Sequence, residues 1–132
     1  MKRLSSALFL SLIFALTAFA QGQAKYVFYF IGDGMGVDQV NGKEGRIGVK
    51  PLLFTQFPVA SVANTYSKTN SITDSSAAGT ALATGVKTFN GAIGVNKDKE
   101  KVLSVAARAK QAGKKVGVLT SVSVDHATPA AF

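Results

Sequence analysis

The run Lys25-Tyr-Val-Phe-Tyr-Phe-Ile31 is aromatic and β-branched, shows no polar alternation, and stops at Gly32. A strand with one wetted face alternates apolar and polar residues, so an unbroken run predicts a strand covered on both faces. Lys115-Val-Gly-Val-Leu-Thr120 is a second run of this kind. It follows Lys99–Ala112, where Val102, Leu103, Val105, Ala106 and Ala109 form one apolar helical face and Gly113 supplies the stop. Strand, helix and strand joined by a short glycine turn predict an α/β fold with a central, mostly parallel sheet flanked by helices. Leu52–Pro58 is a short ambiguous apolar segment, and Val59–Thr65 alternates weakly enough to be a further strand.

The first twenty residues stand apart from that fold. MKRLSSALFLSLIFALTAFA has Lys2 and Arg3 at its start, an apolar run from Ala7 to Ala20, and Ala18-Phe19-Ala20 as a cleavage site. These are the parts of a secretory signal peptide. A membrane anchor needs about 20 predominantly apolar residues. This run is shorter and ends in small residues, so stable membrane insertion is not expected and the compartment is secreted or periplasmic. A mature chain of Gln21–Phe132 could be one small domain burying only about two-thirds of its surface. It has no cysteine, so packing or bound metal must do what disulfides do in many secreted domains. The net charge of +8 includes clusters at Lys97–Lys101 and Lys114-Lys115. No stacking aromatics or binding motif accompany them, which argues against nucleic acid as a partner.

Three stretches carry residues suited to chemistry. Gly32-Asp33-Gly34-Met35-Gly36 follows the first predicted strand, but Val37 stands where a dinucleotide fingerprint needs its third glycine. A carboxylate would also face the pyrophosphate. Two readings remain open: Asp33 as a ligand for a hard cation, or a glycine turn with Asp33 capping a helix. GTALATGVKT, from Gly79, misses the phosphate-loop spacing at both its glycine and its lysine.

The stretch TDSSAAGTALATG, from Thr73, predicts a helix capped by Asp74 and stopped by Gly85. Ser75 and Ser76 then fall on its first turn, beside free N–H groups and the positive end of the dipole. A serine there is either part of an ordinary polar cap or a nucleophile that a metal or base activates. His126, the one histidine, could complete a triad, yet no G-x-S-x-G elbow supports that pairing. A metal is the other route. His126 lies just beyond the Val116–Thr120 strand, on the side of a parallel sheet where the Asp33 loop also emerges. Thr128-Pro129 then reads as a helix start with Thr as cap and Pro at the first position. The chain ends within one turn of it, which predicts a truncated domain.

FIGDGMG after the first strand, TDSSAAGTALATGVKTFNGAIGV, and the terminal VDHATPAAF together resemble the alkaline phosphatase family in order and approximate spacing. The resemblance covers essentially all of residues 21–132. Members are considerably longer, so it implies an incomplete N-terminal part of an alkaline phosphatase domain behind a leader at 1–20. It implies a metal-dependent phosphomonoester hydrolase with two zinc ions, one magnesium ion and a phosphoserine intermediate. On that resemblance Asp33 bridges magnesium and one zinc. Ser75 is the nucleophile and a zinc ligand, and Asp74 orients a phosphate-binding arginine. Thr128 is a magnesium ligand, and His126 stands near the magnesium site at a position that is Asp in some members and His in others. Small phosphomonoesters are the implied substrates, and members are often homodimers.

The sequence departs from the family pattern at Ser76, usually Ala, and in what it lacks. The remaining zinc and magnesium ligands and the arginine match positions after Phe132. One histidine cannot build a two-zinc site, so the isolated chain is expected to be inactive. A phosphodiesterase or sulfatase has a different nucleophile context. The reading from another class is a non-catalytic secreted module that binds metal or anion.

Overall fold

The computed structural model describes residues 24–44 and 50–132; the leader at 1–20 lies outside them. The chain divides into two units, Met1–Ile31 and Gly32–Phe132. In the first, Phe28 and Phe30 stack with centroids 6.5 Å apart, as side chains two residues apart on extended backbone can. The second contains α1 (Val37–Glu44), a 3₁₀ turn (Leu53–Gln56), α2 (Ser75–Thr84), α3 (Val105–Gln111) and α4 (Ala127–Ala130).

The expected sheet is not formed as ladders among the described residues. Their one β pairing is an isolated antiparallel bridge between Val95 and Lys101. The physical reason lies in cover. A doubly buried parallel strand needs neighbours and a helix layer on each face, whereas Phe30 is 84 % exposed, Val62 98 % and Leu119 100 %. At Asn64 and Tyr66, carbonyls that a ladder partner could use accept instead from the Lys87 ammonium, which lies 3.4 Å from the Tyr66 ring centroid.

α2 organises the second unit. Asp74 is its cap, with extended φ −106° and ψ 175°, and Gly85 ends it at φ 76°. Both ends follow the sequence expectation. The helix is built of small residues, and the buried set around it is small as well: Ala77, Ala83, Ala92 and Ala131, with Thr80 and Thr88 fully enclosed. Gly79 explains how α4 comes so close. A Cβ there would meet the Ala131 Cβ at 3.3 Å and the Thr128 Cα at 3.4 Å, so a methyl would push the two helices apart.

Thr80 ties the following loop to α2. Its hydroxyl donates to the Ala92 carbonyl at 3.2 Å and accepts from the Gly94 N–H at 3.0 Å. Thr80→Val keeps the shape and strands both backbone groups, a loss of about 1–3 kcal/mol. The expected result is a lower urea midpoint with an unchanged m value, while Thr80→Ser stays near the wild type.

Two helix starts differ from the sequence expectation. α3 begins at Val105, not Lys99, because the Ser104 hydroxyl accepts from the Ala107 N–H and caps it there. The preceding residues reverse the chain: Asn96 Oδ1 accepts from the N–H groups of Asp98 and Glu100, and Lys99 adopts a left-handed φ of 64°. α3 ends as expected at Gly113, with Lys114 N–H bonded to Ala109 O and Gly113 N–H to Lys110 O. α4 is capped by His126 rather than Thr128, since the Thr128 hydroxyl is used elsewhere. Pro129 still falls in the first turn, where a missing N–H costs nothing.

Candidate active site

The Asp33 loop is a tight turn. Met35 N–H returns to Gly32 O at 3.1 Å, and Gly34 takes φ 69° at its third position, which glycine adopts without a Cβ penalty. α1 starts only after Gly36, whose N–H donates to Gln39 Oε1 at 2.8 Å. Asp33 therefore does not cap that helix. Its carboxylate is turned toward two segments far away in sequence.

Ser75 Oγ donates to Asp33 with both carboxylate oxygens at 3.1 Å, across 42 residues of chain. Thr128 Oγ1 donates to Asp33 Oδ2 at 3.0 Å, across 95 residues. Of the two serines on the first turn of α2, Ser75 faces Asp33. Two hydroxyl side chains from separate motifs thus meet at the carboxylate of a third. Ser75 and Thr128 are half-buried and Asp33 is exposed, so the cluster opens to solvent on the Asp33 side.

Both carboxylate oxygens of Asp74 hold backbone N–H groups. Oδ1 accepts from the Ala77 N–H at 2.8 Å and Oδ2 from the Gly91 N–H at 2.6 Å. Ala78 N–H returns to the Asp74 carbonyl at 3.0 Å. Beyond these, the Ser75 and Ser76 N–H groups at the helix start have no acceptor among the described residues. They form the positive end of a ten-residue helix, a suitable seat for an anion.

His126 is exposed, and its carbonyl accepts from the Ala130 N–H at the start of α4. The site's hydrogen bonds do not include its ring. Its neighbour Asp125 is held below the usual carboxylate range, chiefly by the Ser123 hydroxyl, with its own backbone N–H and His126 adding to the effect.

The donor set decides which ions fit. One carboxylate and two hydroxyls are all-oxygen ligands, the chemistry a hard cation such as Mg2+ takes. No group of three His, Cys, Asp or Glu exists among the described residues, so they do not fit a zinc pair by themselves. The sequence reading missed the Asn90-Gly91 turn that reaches Asp74. An Asn-Gly pair is a strong turn signal, and that signal could have found it.

The family model for alkaline phosphatase matches residues 24–132. Alkaline phosphatase 4 of Bacillus subtilis is 42 % identical over 121 residues, covering 85 % of this chain and 26 % of the relative. The human tissue-nonspecific isozyme is 36 % identical over 126 residues, covering 82 % and 24 %. The alkaline phosphatase of the Antarctic bacterium TAB5 superposes with a TM-score of 0.71 at 37 % identity, covering 76 % of this chain and 29 % of that one. A mutant of that enzyme with Mg bound matches with the same TM-score, at 35 % identity. The chain thus spans about a quarter of the length of the curated relatives it matches.

Proposed function

Because this chain belongs to the alkaline phosphatase family, we propose that it supplies the nucleophile of a secreted or periplasmic phosphomonoester hydrolase. The protein acts on small phosphomonoesters through a phosphoserine at Ser75. The observation that carries this reading is the pairing of the Ser75 hydroxyl with both oxygens of Asp33. It holds the Ser75 oxygen against the carboxylate at the start of the helix. Substrate phosphate seated against the Ser75 and Ser76 N–H groups presents phosphorus to that oxygen. The Ser75 O–P bond forms as the ester O–P bond breaks, and the hydroxyl proton released at Asp33 goes to the departing alcohol. Water then attacks phosphorus, releasing phosphate and restoring the serine.

Asp33 and Thr128 would hold Mg2+, with Ser75 and His126 beside them. The ion supplies positive charge against the oxygens of the phosphoryl group. The described residues do not fit zinc by themselves. Asp74 keeps its place as a substrate-positioning residue by fixing the helix start.

Acid quenching of the full-length protein during turnover tests the nucleophile. Phosphopeptide mapping should place the label on Ser75; label on Ser76 overturns the assignment. For the 132-residue chain alone we expect no hydrolysis of p-nitrophenyl phosphate with added zinc and magnesium. Turnover by it, abolished in Ser75→Ala, would show that this chain's own residues suffice. Saturable Mg2+ or phosphate binding without any phosphoenzyme in the full-length protein would favour a non-catalytic binding module.

A further inference from the structure

We propose that the Asn90-Gly91 turn is a positioning device for the phosphate seat, acting through Asp74; this rests on the reading of Ser75 and the α2 start given above. An N-cap needs only one side-chain acceptor, and Ser, Thr or Asn serve as well as Asp. Asp74 uses two. Oδ1 caps α2 through Ala77, and Oδ2 takes the Gly91 N–H at 2.6 Å, shorter than the cap bond at 2.8 Å. Asn at position 74 would keep the cap and turn an NH2 toward the Gly91 N–H, while Ser or Thr would have no second oxygen to offer. The second acceptor gives the carboxylate a bond that the cap alone does not require.

The turn itself is fastened to α2 and its approach. Asn90 Nδ2 donates to Ile72 O at 3.1 Å, and the Thr80 hydroxyl bonds the chain at Ala92 and Gly94. Asn90 Oδ1 is buried with no partner among the described residues, so the amide nitrogen is the atom this turn uses. Gly91 adopts φ 84°, and a Cβ built on it meets nothing within 4 Å. An alanine there is disfavoured by backbone conformation alone. The turn therefore fixes the direction of Asp74, and Asp74 fixes the two N–H groups of the seat. Ser75 and Asp33 make their own bond and are not part of the brace. Loosening it should disturb anion binding more than chemistry.

The test uses the full-length protein, p-nitrophenyl phosphate as substrate and inorganic phosphate as inhibitor. Gly91→Ala, Asn90→Asp and Asp74→Asn should each raise KM and the phosphate inhibition constant about fivefold to tenfold, the size of one strained or lost hydrogen bond, and in the two turn variants kcat should stay within about twofold. Gly113→Ala is the control: Gly113 has φ 75°, open space at its Cβ and a place at the end of α3. It carries comparable backbone strain and should leave KM and phosphate inhibition at wild-type values. Wild-type constants in the three brace variants, or equal shifts in Gly113→Ala, overturn the proposal. If Gly91→Ala does not fold, Asp74→Asn decides between these outcomes, because it retains the cap. Ser75→Ala separates the two readings: a phosphoenzyme that survives it removes the nucleophile assignment, whereas its loss with unaffected brace variants removes only the brace.

Discussion

Ser75→Ala in the full-length protein should lower turnover of p-nitrophenyl phosphate by about 10³-fold or more and leave no acid-stable phosphoenzyme. Ser76→Ala should stay within a few-fold of wild type. The two serines are neighbours on one helical turn, so they share the dipole, the cap and the small-residue packing of α2. They differ in direction. Ser75 Oγ lies 3.1 Å from both Asp33 oxygens, and α-helical geometry places the next side chain about 100° around the axis. A nucleophile must be held where phosphorus arrives, and the rate gained from such placement can reach several kcal/mol. Ser75 has that restraint. Steady-state rates and intact mass after acid quenching check both variants together. Retained turnover in Ser75→Ala, or its loss in Ser76→Ala, reverses the assignment.

The parts of this site legible in the sequence are those whose cause is local. Asp74 as cap and Gly85 as stop follow from the orphan N–H and C=O groups of any helix end, and both stand where expected. Gly113 does the same for α3. Thr128 misled for an instructive reason. Thr before Pro is a good local cap, but its hydroxyl instead makes a bond to Asp33 across 95 residues. A non-local partner outcompetes the local one, and periodicity cannot see it. The same holds for Asp33: the sequence leaves a cap and a ligand open, and the bonds from Ser75 and Thr128 bear only on the cap, which is not formed.

The sheet was the least legible element, because burial of a strand is not a property of the strand. Lys25–Ile31 and Lys115–Thr120 have the composition of covered strands, yet Phe30 and Leu119 are exposed. An apolar run states what a segment requires; it does not supply the neighbours that meet the requirement. The small-residue helix behaves in the opposite way. Ala77, Gly79 and Ala83 need little volume to be covered, so α2, α4 and the 89–95 loop pack around one another within this chain. That is why the helix start carrying Ser75 is packed, while the two apolar runs are exposed among the described residues.

Asp33→Asn should have the second large effect, and on two observables at once. Asp33 accepts two hydroxyl hydrogens, from Ser75 and Thr128. A carboxylate can do this because both oxygens are acceptors, whereas an amide has one acceptor and one donor. In the variant one of the two positions flanking Ser75 Oγ, each 3.1 Å away, becomes an NH2 group, so the two-oxygen restraint on Ser75 is lost even though the volume is unchanged. The negative charge that a hard cation requires is lost with it. Mg2+ affinity of the full-length protein, measured calorimetrically, should fall by at least about tenfold to a hundredfold. Turnover should fall by about 10²–10³-fold, as when one preorganised electrostatic contact to a transition state is removed. Asp33→Glu keeps the charge but moves it by one methylene, and it should recover more of the Mg2+ affinity than of the turnover. Charge alone holds the ion, while the position of the carboxylate sets the direction of Ser75. Wild-type Mg2+ affinity in Asp33→Asn would remove Asp33 from the cation site, and equal recovery of both properties in Asp33→Glu would show that it does not orient the serine.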